Sequence, residues 1–334
     1  CFERLKFLYL YLTFMKYDIF NSSSPEDFSK KALEIFDYQA KKCAIYKKYL
    51  ESLSRSKPTN IEEIPFLPIT FFKNHNVVTE QIKENTPFFL SSGTGNSERS
   101  KHWIFDIEYY LTSCLRAYKS FVGDPENQVI FALLPNYLEQ GNSGLVCMVE
   151  RLIRLTNNEL SGFFLKDLDE LRRKYEQAKA TEKEIVIFGV SYSLLDLAAR
   201  NENYESATIV ETGGMKGRRQ ELSKSELFNQ IKIGTSCKKI ISEYGMTELF
   251  SQAYAGDDLI FSSPPWMKII TTDVSDPFSV VVGRRGVLNI IDLANIDSCC
   301  FIQTQDIGIQ LSNGFTIEGR IQHADIRGCN QLVE

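Results

Sequence analysis

The stretch Val129-Ile130-Phe131-Ala132-Leu133-Leu134 is an unbroken apolar run, rich in β-branched and aromatic side chains. A strand with one face in water alternates apolar and polar residues, whereas an unbroken run marks a strand covered on both faces. Three further runs share this character: Ile185-Val186-Ile187-Phe188, Ala207-Thr208-Ile209-Val210 and Lys239-Ile240-Ile241-Ser242. The segments between them are long enough for crossover helices. Residues 88–262 are therefore expected to form an α/β core.

On the N-terminal side, residues 1–87 read as a helix-dominated region packed on that core. Pro25-Glu26 after a serine run is a helix start, and Phe28, Ala32, Ile35, Phe36, Gln39, Tyr46 and Tyr49 recur at helical spacing. Ile64-Pro65-Phe66-Leu67-Pro68-Ile69 is expected to be extended, because each proline fixes its own φ and biases its predecessor away from helix. Beyond Pro264 the spacing tightens into short strands divided by Asp-Pro, Gly-Arg-Arg-Gly and Asn313-Gly314 turns. Residues 263–320 should form a smaller β-rich subdomain, with residues 321–334 as a tail.

The 334 residues are 43% hydrophobic and 24% charged, enough to bury a full core. A formal net charge of −5 without a long Lys/Arg run gives no footprint for nucleic acid or an anionic membrane. Phe7 to Met15 is the most lipophilic stretch, yet it falls far short of the roughly 20 apolar residues of a transmembrane helix. It reads as a core helix. The eight cysteines show neither a C-x-x-C pair nor metal-ligand spacing with the three histidines. They read as free thiols, and a cytoplasmic location is expected.

Two stretches carry the chemistry. Ser91-Ser92-Gly93-Thr94-Gly95-Asn96-Ser97 follows the apolar Phe88-Phe89-Leu90 and offers hydroxyls and free backbone amides, with Arg99 and Lys101 close behind as cations. Glycine permits the conformations that aim successive amides at phosphate oxygens. Alone, the stretch is equally well read as a polar surface loop. Glu243-Tyr244-Gly245-Met246-Thr247-Glu248 follows a strand end, where open α/β sheets put their ligand loops. Its tyrosine can stack on adenine and its last carboxylate can hold a metal. The competing reading is a helix start with a solvated glutamate. His102, beside Lys101, is a candidate for a supporting polar contact near the loop.

These motifs, with Thr304-Gln305-Asp306-Ile307-Gly308 and Gly319-Arg320 following in order, resemble the signatures of the adenylate-forming acyl-activating superfamily. Within it, the chain resembles the LuxE-type acyl-protein synthetases. That closer likeness runs through Phe36-Asp37-Tyr38-Gln39, Ile64 to Ile69, Leu134-Pro135-Asn136-Tyr137-Leu138-Glu139, Glu211-Thr212-Gly213-Gly214-Met215-Lys216-Gly217-Arg218-Arg219 and Ile326-Arg327-Gly328-Cys329.

The resemblance implies the N-terminal-domain fold of adenylate-forming enzymes, with mixed sheets layered with helices, the β-rich subdomain completing the nucleotide site and the mobile C-terminal domain largely absent. It implies ATP and Mg²⁺ as cofactors, a fatty acid as substrate and an acyl reductase or other acyl-accepting protein as partner. By position, Ser91, Ser92, Gly93 and Thr94 belong to the phosphate loop and Lys101 is a phosphate-side cation. Tyr244 and the Gly213-Gly214 backbone flank adenine, with Gly245 and Met246 in the same loop. Thr247 touches the α-phosphate, Glu248 coordinates Mg²⁺, and Asp306 binds the ribose hydroxyls with help from Arg320. Gly189, Val190 and Ser191 line the acyl pocket.

Cys329 is the first choice for the acyl-accepting thiol, with Arg327 and His323 nearby to favour the thiolate and Asp325 opposing it. Cys299 and Cys300 compete, but they sit in a run that reads as a buried strand. The usual loop sequence Ser-Gly-Thr-Thr-Gly is here Ser92-Gly93-Thr94-Gly95-Asn96, which exchanges one hydroxyl for glycine. Lys216, Arg218 and Arg219 are candidates to replace the catalytic lysine of most relatives. Two other functions fit parts of this pattern: a carboxylate–CoA ligase of the phenylacetate type, and a nucleotide-binding scaffold without turnover.

Overall fold

The structure is a computed structural model and describes residues 16–91, 99–135, 141–213 and 222–321. Two compact units divide the chain. Residues 82–264 form one, and residues up to Gln81 with those from Pro265 onward form the other. The Phe7–Met15 stretch and the 321–334 tail lie outside the described residues except for Ile321.

Helix α1 (Pro25–Lys42) starts where Ser24 accepts the backbone N–H of Asp27 and proline fills the first turn. The helical spacing that runs on to Tyr49 is divided at Cys43, whose backbone is extended, and resumes in α2 (Ala44–Leu53). Gln39 anchors this corner from within. Its buried amide donates to the Asn295 and Ile296 carbonyls and accepts from the Cys300 N–H. Of the proline-rich segment, Leu67–Pro68 forms the short strand β1, and a single turn of helix, α3 (Phe71–Asn74), follows.

The unit of residues 82–264 opens with a hairpin of β2 (Phe88–Leu90) and β3 (Lys101–Trp103), then helix α4 (Ile107–Phe121). The apolar runs follow as strands. They are β4 (Gln128–Leu133), β6 (Glu184–Val190), β7 (Ala207–Thr212) and β8 (Lys239–Tyr244), with edge strands β5 (Gly162–Phe163) and β9 (Ala253–Ala255). Their order is β5-β4-β6-β7-β8-β9, parallel throughout except for the last pair. Between them run α5 (Gly144–Thr156), α6 (Leu168–Ala178), α7 (Ser191–Ala198) and α8 (Lys224–Thr235).

Every residue of β4 is buried, as its unbroken run requires. Leu171 and Tyr175 of α6, Leu194 of α7 and Phe228 of α8 join Val129, Phe131, Ile187 and Ile209 in one core cluster. Capping agrees with packing: Ser223 and Glu226 close a reciprocal capping box at the start of α8.

After Pro264 come β10 (Met267–Thr272), β11 (Arg285–Asp292), β12 (Phe301–Leu311) and β13 (Gly314–Arg320), each antiparallel to the next. The expected Asn313-Gly314 turn joins the last two. Strand β1 adds to the same sheet, parallel to β12 at Ile302 and Gln303. Together with Gln39, it makes the N-terminal helices and the β-rich region one unit, although the sequence suggests two. No helix among the described residues is long and apolar enough to cross a membrane.

Candidate active site

The loop of residues 92–98 lies outside the described residues, but its neck is on view. The Ser91 N–H donates to the Ser100 carbonyl at 3.0 Å, and the Ser100 N–H donates to the Ser91 hydroxyl oxygen at 2.9 Å. Arg99 adds a bond from Nε to the Ser91 carbonyl at 2.6 Å. Three bonds thus pinch the two ends of the loop together at the tip of the β2–β3 hairpin. Arg99 is committed to the neck.

Alternation along β3 sends its neighbours to opposite faces. Lys101 points to the outer face, where its ammonium lies 3.9 Å from the centre of the Phe88 ring and 3.8 Å from that of Trp103. His102 points inward and is buried. Its Nδ1 is 2.7 Å from the Thr247 carbonyl oxygen, and because a carbonyl only accepts, Nδ1 carries the proton. The pinched hairpin is thereby joined to the Thr247-Glu248 turn. Lys101, expected on the phosphate side, is directed away from that junction.

The Glu243–Glu248 block begins on β8 and leaves it as a turn, with the Leu249 N–H bonded to the Met246 carbonyl. Tyr244 is half-buried, its ring edge-on to Phe261 with centroids 5.9 Å apart. Glu248 is 5% exposed and Thr247 is half-buried. A Cβ at Gly245 would meet Glu243 Oε1 at 2.5 Å, so a larger residue there would have to displace that carboxylate. Glu243 is buried and accepts from the Thr212 hydroxyl. Burial pushes its carboxyl up to about 7, with the Glu211 carboxylate adding to the shift and the Thr212 bond and Lys224 opposing it.

The expected acyl-pocket residues sit where β6 gives way to α7. Val190 and Ser191 are buried, and Gly189 is closely packed: a Cβ there would meet Leu194 at 2.9 Å and Leu133 at 3.2 Å. Gly213, at the end of β7, has φ +72°, a left-handed conformation that favours glycine. Its carbonyl lies 3.2 Å from the Ser191 hydroxyl, so the acyl-side and adenine-side candidates touch.

Beneath them is a cluster the sequence did not single out. Glu211 is fully buried, and its carboxylate receives Ser191 Oγ at 2.5 Å, Ser242 Oγ at 2.9 Å and Lys224 Nζ at 2.6 Å. The available signal was a lone acid ending an apolar strand. Lys224, well outside the quoted motifs, had none.

Asp306 and Arg320 belong to the other unit. They are paired across β12 and β13, with Arg320 Nε 2.9 Å from Asp306 Oδ1; the aspartate is buried and the arginine exposed. Ser92, Gly93, Thr94, Gly214, Lys216, Arg218, Arg219 and Cys329 lie outside the described residues. The described cysteines are poor nucleophiles. Burial holds Cys43, Cys237, Cys299 and Cys300 above the usual thiol value, Cys114 at about 12 and Cys147 at about 11.

The architecture has close counterparts among solved structures. 2-Hydroxyisobutyryl-CoA ligase in complex with 2-HIB-AMP and CoA superposes with a TM-score of 0.65 at 13% identity, over 90% of this chain and 72% of that one. ATP-bound MatB from Rhodopseudomonas palustris gives 0.53 at 17% identity, over 70% of this chain and 47% of that one. At such identities the likeness is one of fold, and the fold is that of the adenylate-forming ligases. The profile of the acyl-protein synthetase family LuxE matches residues 18–334, and the chain belongs to that family. Its relatives include the long-chain-fatty-acid–luciferin-component ligase of Vibrio harveyi, 22% identical over 313 residues, which cover 85% of this chain and 81% of that protein. The Aliivibrio fischeri protein of the same name is 24% identical over 270 residues, or 75% and 70%.

Proposed function

We propose that the protein activates a fatty acid with ATP, forming acyl-AMP, and then carries the acyl group on Cys329 for delivery to a partner such as an acyl reductase. The observation that carries this reading is the bond from His102 Nδ1 to the Thr247 carbonyl. It joins the neck of the serine-rich loop to the Thr247-Glu248 turn, as one pocket for a polyphosphate and its metal requires.

The residues fit a magnesium nucleotide. Mg²⁺ takes hard oxygen donors, commonly one or two carboxylates alongside substrate phosphates; Glu248 offers the carboxylate, and the adjacent Thr247 hydroxyl is left for the α-phosphate. When bound, the ion supplies positive charge against the departing pyrophosphate. Tyr244 and the Gly213 backbone flank the adenine, and Ser92, Gly93 and Thr94 hold the outer phosphates. The acid needs no general base, because its carboxylate is already ionised. Its oxygen attacks the α-phosphorus as the bond to pyrophosphate breaks. In the second step a thiolate attacks the acyl carbonyl and AMP leaves. The raised thiols of the six described cysteines suit them poorly to that step, which leaves Cys1 and Cys329, and of these Cys329 has Arg327 and His323 close by in sequence.

Acid-dependent exchange of label between pyrophosphate and ATP, across a panel of acids, tests the first step. Intact-protein mass spectrometry tests the second. Cys329→Ser should keep the exchange and lose the covalent acyl group; a full adduct on that variant would show that another residue accepts it. Turnover that depends on CoA would favour a carboxylate–CoA ligase instead.

A further inference from the structure

The Glu211 cluster asks for an explanation that packing does not supply. A carboxylate with no exposed surface is expensive to bury, even when paired, and an apolar residue would extend the Ile209-Val210 run at no such cost. The charge stands at the carboxyl end of a parallel strand. In register it lies beside Gly189 of β6 on one side and Ser242 of β8 on the other. Its partners are not core residues in general. Ser191 heads α7 and belongs to the acyl side of the pocket, while Lys224 opens α8.

A serine hydroxyl has one hydrogen to give. Ser191 Oγ stands 2.5 Å from Glu211 Oε1 and 3.2 Å from the Gly213 carbonyl, so that hydrogen is directed between two acceptors on the same strand end. A bond to a carboxylate is the stronger of the two. Glu211 therefore sets the rotamer of Ser191, and Ser191 in turn sits against the peptide of Gly213. Lys224 and Ser242 hold the other carboxylate oxygen at 2.6 and 2.9 Å and fix the carboxylate plane.

Resting on the function proposed above, we propose that Glu211 is a positioning residue. It aligns the acyl side of the pocket, at Ser191, with the adenine side, at Gly213, and Lys224 serves as its counter-charge. It touches neither substrate. Its effect is on the angle at which the fatty carboxylate meets the α-phosphorus, and misplacement of reacting atoms by about 1 Å can cost about 100-fold in rate.

The test uses the full chain and the acid-dependent exchange assay, with kcat and KM measured separately for ATP and acid and the melting temperature recorded alongside. Glu211→Gln and Ser191→Ala should each lower kcat by about 10- to 100-fold while the KM for ATP stays within about 3-fold. Glu211→Gln leaves Lys224 without its counter-charge and should melt lower than the parent. The double variant Glu211→Gln with Lys224→Met should recover the melting temperature without recovering kcat. Recovery of both together would make Glu211 a purely structural residue and overturn the proposal, as would parental kcat in Ser191→Ala. Should Glu211→Gln fail to fold, Ser191→Ala decides the matter, since it removes only one hydroxyl. A parent protein without acid-dependent exchange would instead sink the proposed function itself, and this inference with it.

Discussion

His102 bonds the turn that carries Glu248, and separate variants test the two residues. Glu248→Ala removes the carboxylate proposed for Mg²⁺ and should lower pyrophosphate exchange by at least about 100-fold, a loss typical for removal of charge stabilisation. Because Glu248 is only 5% exposed, the melting temperature is recorded alongside, and the loss of exchange is read on folded protein. His102→Phe keeps the aromatic packing against Phe250, whose centroid is 5.2 Å away, but leaves the Thr247 carbonyl without its Nδ1 donor. A lost buried hydrogen bond costs about 1–3 kcal/mol, so both denaturant midpoint and exchange should fall. His102→Asn, whose amide can donate from a similar position, should recover part of each. Residue types alone left the serine-rich stretch equally well read as a polar surface loop, and only the family resemblance of several motifs in order singled these residues out. Which side chain of Lys101-His102-Trp103 faces inward could not be read either, although the two-residue alternation of a strand held the clue. Nor did the charge of Lys101 show that its ammonium lies over the Phe88 and Trp103 rings.

At the scale of elements, the parallel strands were legible because burial on both faces leaves an unbroken apolar run, and β4, β6, β7 and β8 appear where those runs stand. The corner at Cys43 was not. No glycine or proline marks it, and the helical spacing continues through it. It follows from tertiary bonds of Gln39 to residues more than 250 positions away. Gly308 was legible as part of a motif, but its reason is packing: a Cβ there would lie 1.9 Å from the Thr316 carbonyl oxygen of β13. Gly308→Ala must push the two strands apart where their register shifts. We expect a loss of about 3 kcal/mol, within the range for overpacking, read as a lower urea midpoint at unchanged slope. Gly234→Ala, where a Cβ would meet the Ala198 carbonyl at 2.2 Å, should behave alike between α8 and α7.

For the molecule as a whole, the pH dependence of stability carries the mark of Glu243. Its carboxyl rises from 4.5 to about 7 on folding, so the folded state holds a proton that the unfolded chain releases. The contribution is fully present below about pH 4.5 and is lost as pH rises through about 7. It amounts to roughly 3 kcal/mol by linkage. Urea midpoints of the parent should therefore fall between pH 5 and 8 more steeply than those of Glu243→Gln, and the variant should be the more stable at pH 8. Equal slopes would remove Glu243 from the account. Each compact unit also holds one of the two tryptophans: Trp103 beside the pinched loop, with the Lys101 ammonium on its ring, and Trp266 buried against Phe20 in the other. Replacing Trp266 with phenylalanine would leave Trp103 as the single indole, three residues from the neck bonds of Ser100. Any ligand that draws the ammonium off that ring would then announce itself as a change in ultraviolet emission, with no dye attached.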